Sequence, residues 1–317
     1  MKHIGIIDLG TNTFNLLVAR LEKDGGASFI HKTKRPVKIG EGGIRQGYLT
    51  PAAMQRGLET LKEFKEIFKS FGVKQVVALG TSALRDAENT QEFVLEVWNQ
   101  TGIYINIISG DEEASLIAEG VRQSGMALTG RQLIMDIGGG STEFIALENG
   151  KTLWQKSFDL GAARLLDKFK PSNPITEQEQ QAIEAFIEEK LADLWENAGT
   201  GIAELIGSSG SFDSFAAMLL ESSTDDESIQ GTFFVEIPLE PFFDLHQKLL
   251  QSTREDRKIM RGLIPMRADM IVLASLLTNT VVRKLKITRI QQCAFALKEG
   301  VLEAIKNNQL AWLKSSL

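Results

Sequence analysis

The stretch IMDIGGGSTE, residues 134–143, decides how this chain is read. An apolar run ends on Asp136. Gly138, Gly139 and Gly140 follow, then Ser141, Thr142 and a second acid, Glu143. Residues 4–14, IGIIDLGTNTF, repeat the plan with Asp8 in the matching place. A strand that ends in Asp-x-Gly and turns tightly exposes backbone N–H groups at its tip, and glycine, lacking a Cβ, lets an anion approach them. Phosphate fits such a tip. The adjacent carboxylates would repel it unless a divalent cation lies between. Mg²⁺ suits that place as a hard ion that takes oxygen ligands and shares them with phosphate; Mn²⁺ is the alternative. One glycine turn alone is an ordinary hairpin tip. Two in register, each behind an aspartate, favour a phosphate and metal site.

The two stretches belong to a longer repeat. Each copy reads as an apolar strand, Asp-x-Gly, a small polar turn, a second strand, a glycine hairpin and a third strand. The hairpin signals are Asp24-Gly25-Gly26 and Asn149-Gly150. A helix follows each copy, the first over about residues 50–71, opened by Thr50-Pro51, the second from about Ala162. Further along, KQVVALGTSALRDA reads as strand, turn and then a helix from about Asn89. GIYINIISGDEEASLIAEGV and ELIGSSGSFDSFAAML read as strand and helix. The run ITEQEQQAIEAFIEEKLADLW has helical periodicity, and residues 220–230 read as a polar surface loop. Alternating strands and helices in two copies predict α/β architecture in two similar domains, their phosphate loops clamping a ligand from opposite sides of a cleft.

Composition narrows the function. The chain has 317 residues, formal net charge −6 and one cysteine, Cys293. An acidic balance argues against a general nucleic-acid binder. A single cysteine forms no intrachain disulfide and fits a reducing, cytoplasmic setting; its apolar surroundings predict burial. Residues 4–7 are too short for the apolar core of a secretion signal, and no stretch reaches the length of a membrane span. His3, His31 and His246 show no metal-ligand spacing. Hydrolytic chemistry here therefore rests on carboxylates and a hard metal.

ISGDEEASLIAEG places acids at a helix start. Ser109 and Glu112 fit Ser-x-x-Glu, a capping box, which gives Glu112 a structural role. Glu113 is not needed by the cap. It is the stronger candidate for a base that deprotonates a water, with Glu112 the alternative. GTSALRDA supplies Arg85, whose planar fork suits phosphate. Gly207, Ser208, Ser209, Gly210 and Ser211 read as a third tight turn with hydroxyls before a helix, suited to another phosphate.

These motifs together resemble the exopolyphosphatase / guanosine pentaphosphate phosphohydrolase family. The match runs through IDLGTNTF, GTSALRDA, ISGDEEASLI, DIGGGSTE, GSSGS and GLIPMRADMI, in family order over most of the chain. The resemblance implies two ribonuclease H-like domains of the actin, sugar-kinase and heat-shock ATPase superfamily flanking a cleft. They would span residues 1–122 and 123–296, with a last helix at about 297–307 packing back on the first. It implies that Glu113 is catalytic, with Arg85 contacting phosphate. Asp8, Thr11 and Asn12 would belong to the first phosphate loop, Asp136 and Glu143 to the metal and phosphate site with Asp8 as a further metal ligand, and Arg267 would contact phosphate in the second domain. Ser209 departs from the glycine of many members. Longer members carry further C-terminal domains, so a short two-domain form is expected to handle short and medium polyphosphate at least as well as long. The implied activity is release of terminal phosphate from inorganic polyphosphate or guanosine pentaphosphate, by a homodimer without membrane or nucleic-acid partners. An ATP-binding kinase-like protein is one alternative. A sensor without turnover is another, although a sensor has no need of Glu113.

Overall fold

The computed structural model describes residues 2–22, 25–220, 233–310 and 313–316. Asp24 of the first hairpin signal and nearly all of the polar loop expected at 220–230 lie outside them. The chain divides into two compact units, Met1–Gly120 with Leu297–Leu317, and Val121–Ala296.

The first unit is built on a five-stranded sheet. It contains β1 (Lys2–Leu9), β2 (Thr13–Leu21), β3 (Ala27–Pro36), β4 (Gln75–Gly80) and β5 (Ile105–Ile107), in the order β3-β2-β1-β4-β5. The first three strands form an antiparallel meander, and β4 and β5 run parallel to β1. The long apolar run of β1 follows from its central place, where both faces are covered. Helix α1 (Pro51–Ser70) starts where the sequence places it. The Thr50 hydroxyl accepts from the Ala53 N–H at 3.3 Å, and Pro51 fills the first turn, where its missing N–H costs nothing. Its Leu58, Leu61, Phe64 and Phe68, at helical spacing, join Ile7, Leu9, Phe14, Leu16, Val76 and Ala78 in one core. Helix α2 (Ser82–Asp86) occupies what read as a simple turn, and α3 (Thr90–Thr101) follows it. Helix α4 (Gly110–Arg122) comes after β5 and runs just past the end of this unit.

The second unit repeats the plan. β6 (Arg131–Ile137), β7 (Thr142–Glu148), β8 (Lys151–Phe158), β9 (Glu204–Ser208), β10 (Phe234–Ile237) and β11 (Arg289–Cys293) take the order β10-β11-β9-β6-β7-β8. Without β10, an antiparallel addition to the β11 edge, this is the order and direction of the first sheet. Each unit thus has the ribonuclease H-like arrangement. Asn149 and Gly150, with φ of 49 and 75, make the two-residue β7–β8 turn with both residues left-handed.

One face of this sheet packs on α5 (Ala162–Phe169), α6 (Glu177–Lys190), α8 (Ser209–Leu219), α9 (Leu239–Gln251) and α11 (Ile271–Leu285) around Phe144, Phe212, Phe215 and Phe242. The single helix expected from ITEQEQQ onward breaks at Leu191, whose buried side chain joins that core, and resumes as α7 (Ala192–Asn197). A short α10 (Arg254–Lys258) precedes α11. Cys293 is buried at the end of β11. The last helix, α12 (Leu297–Lys306), packs on β1 and β2. Among the described residues no helix is long and apolar enough to cross a membrane.

Candidate active site

In each unit the motif residues gather at the carboxyl ends of the parallel strands, the edge where open α/β sheets bind ligands. In the first unit, Leu9, Gly80 and Ile107 lie in register at the ends of β1, β4 and β5. Asp8 precedes that edge and accepts from Asn15 Nδ2 at 2.9 Å, its partner directly across the β1–β2 hairpin. The turn closes by the Gly10 N–H to the Thr13 carbonyl, 3.1 Å. Thr11 and Asn12 turn their carbonyls to the segment after β3: Thr11 accepts from Gly40 at 3.3 Å, Asn12 from Val37 at 3.0 Å and Lys38 at 2.8 Å. The Thr11 side chain is buried, its methyl against Gly40. Docking of this loop is thus one role both residues perform.

Arg85, at the end of α2, meets Glu113 in the first turn of α4. Its Nη1 donates to Glu113 Oε2 and to the Ile108 carbonyl, both at 3.1 Å. The two side chains are 20% and 10% exposed, so the pair is largely shielded but still reachable. Glu112 turns the other way. Its Oε2 accepts from the Ser109 N–H at 2.7 Å, and its own N–H donates to Ser109 Oγ at 3.2 Å. That reciprocal pair is the capping box, and it occupies the Glu112 carboxylate with holding the helix end.

The second unit lines up a polar row across four strands. Ser157 of β8 is opposite Glu143 of β7, Glu143 opposite Asp136 of β6, and Asp136 opposite Ser208 of β9. Directly paired residues point to one face. The Ser157 hydroxyl donates to Glu143 Oε1 and the Ser208 hydroxyl to Asp136 Oδ2, each at 2.7 Å. Asp136 is 5% exposed and Glu143 1%. Two carboxylates buried side by side repel unless positive charge compensates them.

The glycine loop beside this row is held from behind. Gly138 N–H donates to the Ser141 carbonyl at 3.0 Å, the same closure as in the first unit. The Gly138 carbonyl accepts from Ala162 at 3.0 Å, Gly139 from Ala163 at 2.9 Å and Arg164 at 3.1 Å, and Gly140 from Gly161 at 3.2 Å. Arg164 Nε adds a bond to the Gly140 carbonyl at 2.8 Å. This contact needs a glycine at 161, because a Cβ there would lie 2.3 Å from the Gly139 oxygen. A trans peptide points its N–H opposite to its C=O. With three carbonyls facing α5, the N–H groups of Gly139, Gly140 and Ser141 face away from it. Among the described residues no protein group accepts from them. The Thr142 hydroxyl is spent on the Leu160 carbonyl, 2.8 Å.

The third turn is tighter than its sequence suggests. Gly207 and Ser208 still belong to β9, and α8 starts at once on Ser209, which adopts φ 65. Gly210 and the half-buried Ser211 sit in the first turn of α8. Arg267 lies over that turn: a Cβ on Gly210 would meet its Nη2 at 2.1 Å, and its Nη1 donates to Ser214 Oγ at 2.8 Å. Burial lowers the Arg267 pKa below the ordinary arginine value, and Asp213 pulls it back up.

Asp8, Arg85 and Glu113 thus belong to one unit; Asp136, Glu143, the glycine loop, Ser209, Gly210, Ser211 and Arg267 belong to the other. Sequence reading missed Asn15, Ser157, Gly161 and Arg164, and it placed Ser208 in the third phosphate turn rather than beside Asp136. Asn15 was within reach, since it follows Asp8 at the interval by which Glu143 follows Asp136. Arg164 carries no local signal.

A duplicated sheet with an acid ending each central strand, and amide groups free to meet an anion beside one of them, defines a phosphate-handling α/β protein. The chain belongs to the Ppx/GppA phosphatase family, whose model matches residues 17–308. It is similar to the putative exopolyphosphatase of Haemophilus influenzae, 30% identical over 318 residues that cover 100% of this chain and 95% of that protein. It is similar to exopolyphosphatase 1 of Mycobacterium tuberculosis, 27% identical over 304 residues, 94% of this chain and 87% of that protein. Among solved structures, an exopolyphosphatase from Cytophaga hutchinsonii superposes with a TM-score of 0.92 at 35% identity, covering 97% of this chain and 98% of that one.

Proposed function

We propose that the chain is an exopolyphosphatase, releasing terminal phosphate from inorganic polyphosphate with the help of Mg²⁺. Family membership and the similarity to named exopolyphosphatases support the substrate class. The observation that carries the chemistry is the buried Asp136–Glu143 pair beside the outward N–H groups of Gly139, Gly140 and Ser141. Such a place asks for a cation and an anion together. Asp136 and Glu143 would hold the ion. Among the described residues there is no larger cluster of His, Cys, Asp or Glu fit for a metal. Two carboxylates suffice for Mg²⁺, which takes its remaining ligands from water and phosphate. When bound, the ion neutralises phosphate charge.

The protein's own groups divide the remaining work. The amide groups of the glycine loop bind phosphate oxygens. Glu113 takes a proton from the attacking water as its oxygen bonds to the terminal phosphorus. The bridging P–O bond breaks, and the shortened chain leaves with the bonding electrons. Arg85 keeps the Glu113 carboxylate in place through its 3.1 Å bond, and the rest of its fork can meet phosphate.

The test compares phosphate release from polyphosphates of defined length, guanosine pentaphosphate and ATP, at matched concentrations of chain ends, with and without Mg²⁺. Release from polyphosphate that needs Mg²⁺ is the expected result. Preference for guanosine pentaphosphate over every polyphosphate would replace the substrate and keep the chemistry. Turnover of ATP alone would overturn the reading.

A further inference from the structure

Strand β5 is three residues long and takes the edge position beside β4, yet it leads straight into the Arg85–Glu113 pair. Ile108 follows it. The Ile108 N–H donates to the Gly80 carbonyl at 3.1 Å, and the Ile108 carbonyl accepts from Arg85 Nη1 at 3.1 Å. The same Nη1 donates to Glu113 Oε2. The end of β5 thus helps to fix where the arginine sits, and the arginine where the Glu113 carboxylate sits.

What fixes β5 comes from the other end of the chain. β4 begins at Gln75, but β5 pairs with it only from Ala78. Ser316 takes the part left over. The Val76 N–H donates to the Ser316 carbonyl at 2.8 Å, and the Ser316 N–H donates to the Val76 carbonyl at 3.0 Å, a short antiparallel bridge. Alternate residues of a strand turn their polar groups to the same neighbour, so Val76, Ala78 and Gly80 share one edge. Ser316 and β5 therefore lie end to end along that edge. Two residues join them. The N–H of Tyr104, just before β5, donates to Ser316 Oγ at 3.1 Å. The Asn106 side chain, within β5 and buried, donates from Nδ2 to the Ala78 carbonyl at 3.2 Å and the Lys314 carbonyl at 2.9 Å, and its Oδ1 accepts from the Lys314 N–H at 2.9 Å. An amide that meets both backbone groups of one residue holds it as a neighbouring strand would.

We infer that residues 314–316 are a positioning element for the Arg85–Glu113 pair. They complete the β5 edge, and through Asn106 and the Ile108 carbonyl they hold Arg85 against Glu113. Asn106 and Ser316 are positioning residues, acting through Arg85 and not on the substrate. The inference rests on the role of Glu113 in the proposed function.

Two variants of the full chain test this. Ser316→Pro removes the N–H given to Val76 and the hydroxyl that Tyr104 meets; Asn106→Ala removes all three side-chain bonds. In both, hydrogen–deuterium exchange should quicken over residues 104–109 while the rest of the sheet stays protected. The kcat for phosphate release should fall by about 10- to 100-fold, as for a displaced catalytic group, with KM little changed. The deciding measurement repeats both substitutions in Glu113→Gln. There they should be nearly silent, because Arg85 has no carboxylate left to orient. Lys314→Ala keeps the backbone bonds to Asn106 and should turn over like the native chain. An equal fall in kcat with and without Glu113 would reduce the segment to a general support and overturn the inference. Native exchange over 104–109 in Ser316→Pro, faster exchange with native kcat, or a rate loss in Lys314→Ala would overturn it too, and each leaves the proposed function standing. A native chain that releases no phosphate would overturn the proposed function, and the inference with it.

Discussion

Gly161→Ala separates the shape of the glycine loop from every charged group in the site. Gly161 has φ −83 and ψ 160, which alanine adopts without strain, so the added methyl acts only through space. That methyl would sit 2.3 Å from the Gly139 oxygen and 2.5 Å from the Gly140 nitrogen. Relief requires α5 and the loop to separate by about 1 Å. The bonds that tie them, from Gly161, Ala162, Ala163 and Arg164, are 2.9 to 3.2 Å long. A separation of that size takes several of them past bonding range. At about 0.5–1.5 kcal/mol each, loss of two lowers stability by about 1–3 kcal/mol, read as a shift in the urea midpoint. The loop's N–H groups move with their carbonyls, and a misplacement of about 1 Å costs on the order of 10²-fold in rate. Phosphate release at saturating Mg²⁺ should fall by that factor while far-UV circular dichroism stays native. A variant with native turnover and a native urea midpoint would refute the reasoning, because the loop would then be neither tightly held nor needed in this shape.

Glu113→Gln should cut turnover by about 10²–10⁴-fold with Mn²⁺ binding intact, whereas Glu112→Gln should cost about 0.5–2 kcal/mol of stability and little rate; the opposite pattern in parallel assays would reverse the two roles. His246 is buried between α9 and α11, and desolvation, with the charge of Arg283, lowers its pKa from 6.5 to about 4. The unfolded chain then takes the proton first as pH falls, so stability is whole above pH 6.5 and declines toward pH 4, by about 2 kcal/mol at pH 5. His246→Phe should flatten that slope in urea titrations at pH 7.5 and 5, and an unchanged slope would assign the loss to other groups. Ser209 sits at φ 65, where a side chain costs about 1–2 kcal/mol, so Ser209→Gly should raise the melting temperature; a lower one would mean that the serine hydroxyl holds the start of α8.

Much of the framework is legible in the chain because it is local. Thr50 with Pro51 starts α1, Ser109 with Glu112 caps α4, and Asn149-Gly150 turns β7 into β8; each signal lies within a few residues of what it sets. The Asp136–Glu143 pairing is nearly as local, since a tight hairpin fixes the register of its own strands. The repeat is equally readable, and it carries the duplicated sheet.

Only the tertiary structure decides which distant groups meet. Ser208 reaches Asp136 because β9 lies parallel to β6, and parallel register depends on the crossover between them, which no short pattern encodes. Arg85 and Glu113 meet because β4 and β5 end side by side, and Arg267 folds over the start of α8 from a turn that local periodicity does not place. The glycine loop shows the limit most plainly. Its composition says that something comes close to the backbone. On the carbonyl side that something is α5, through Gly161, which leaves the amide side to face outward. Sequence determines that the peptides can turn either way, because glycine permits it; the packing of α5 decides which way they turn.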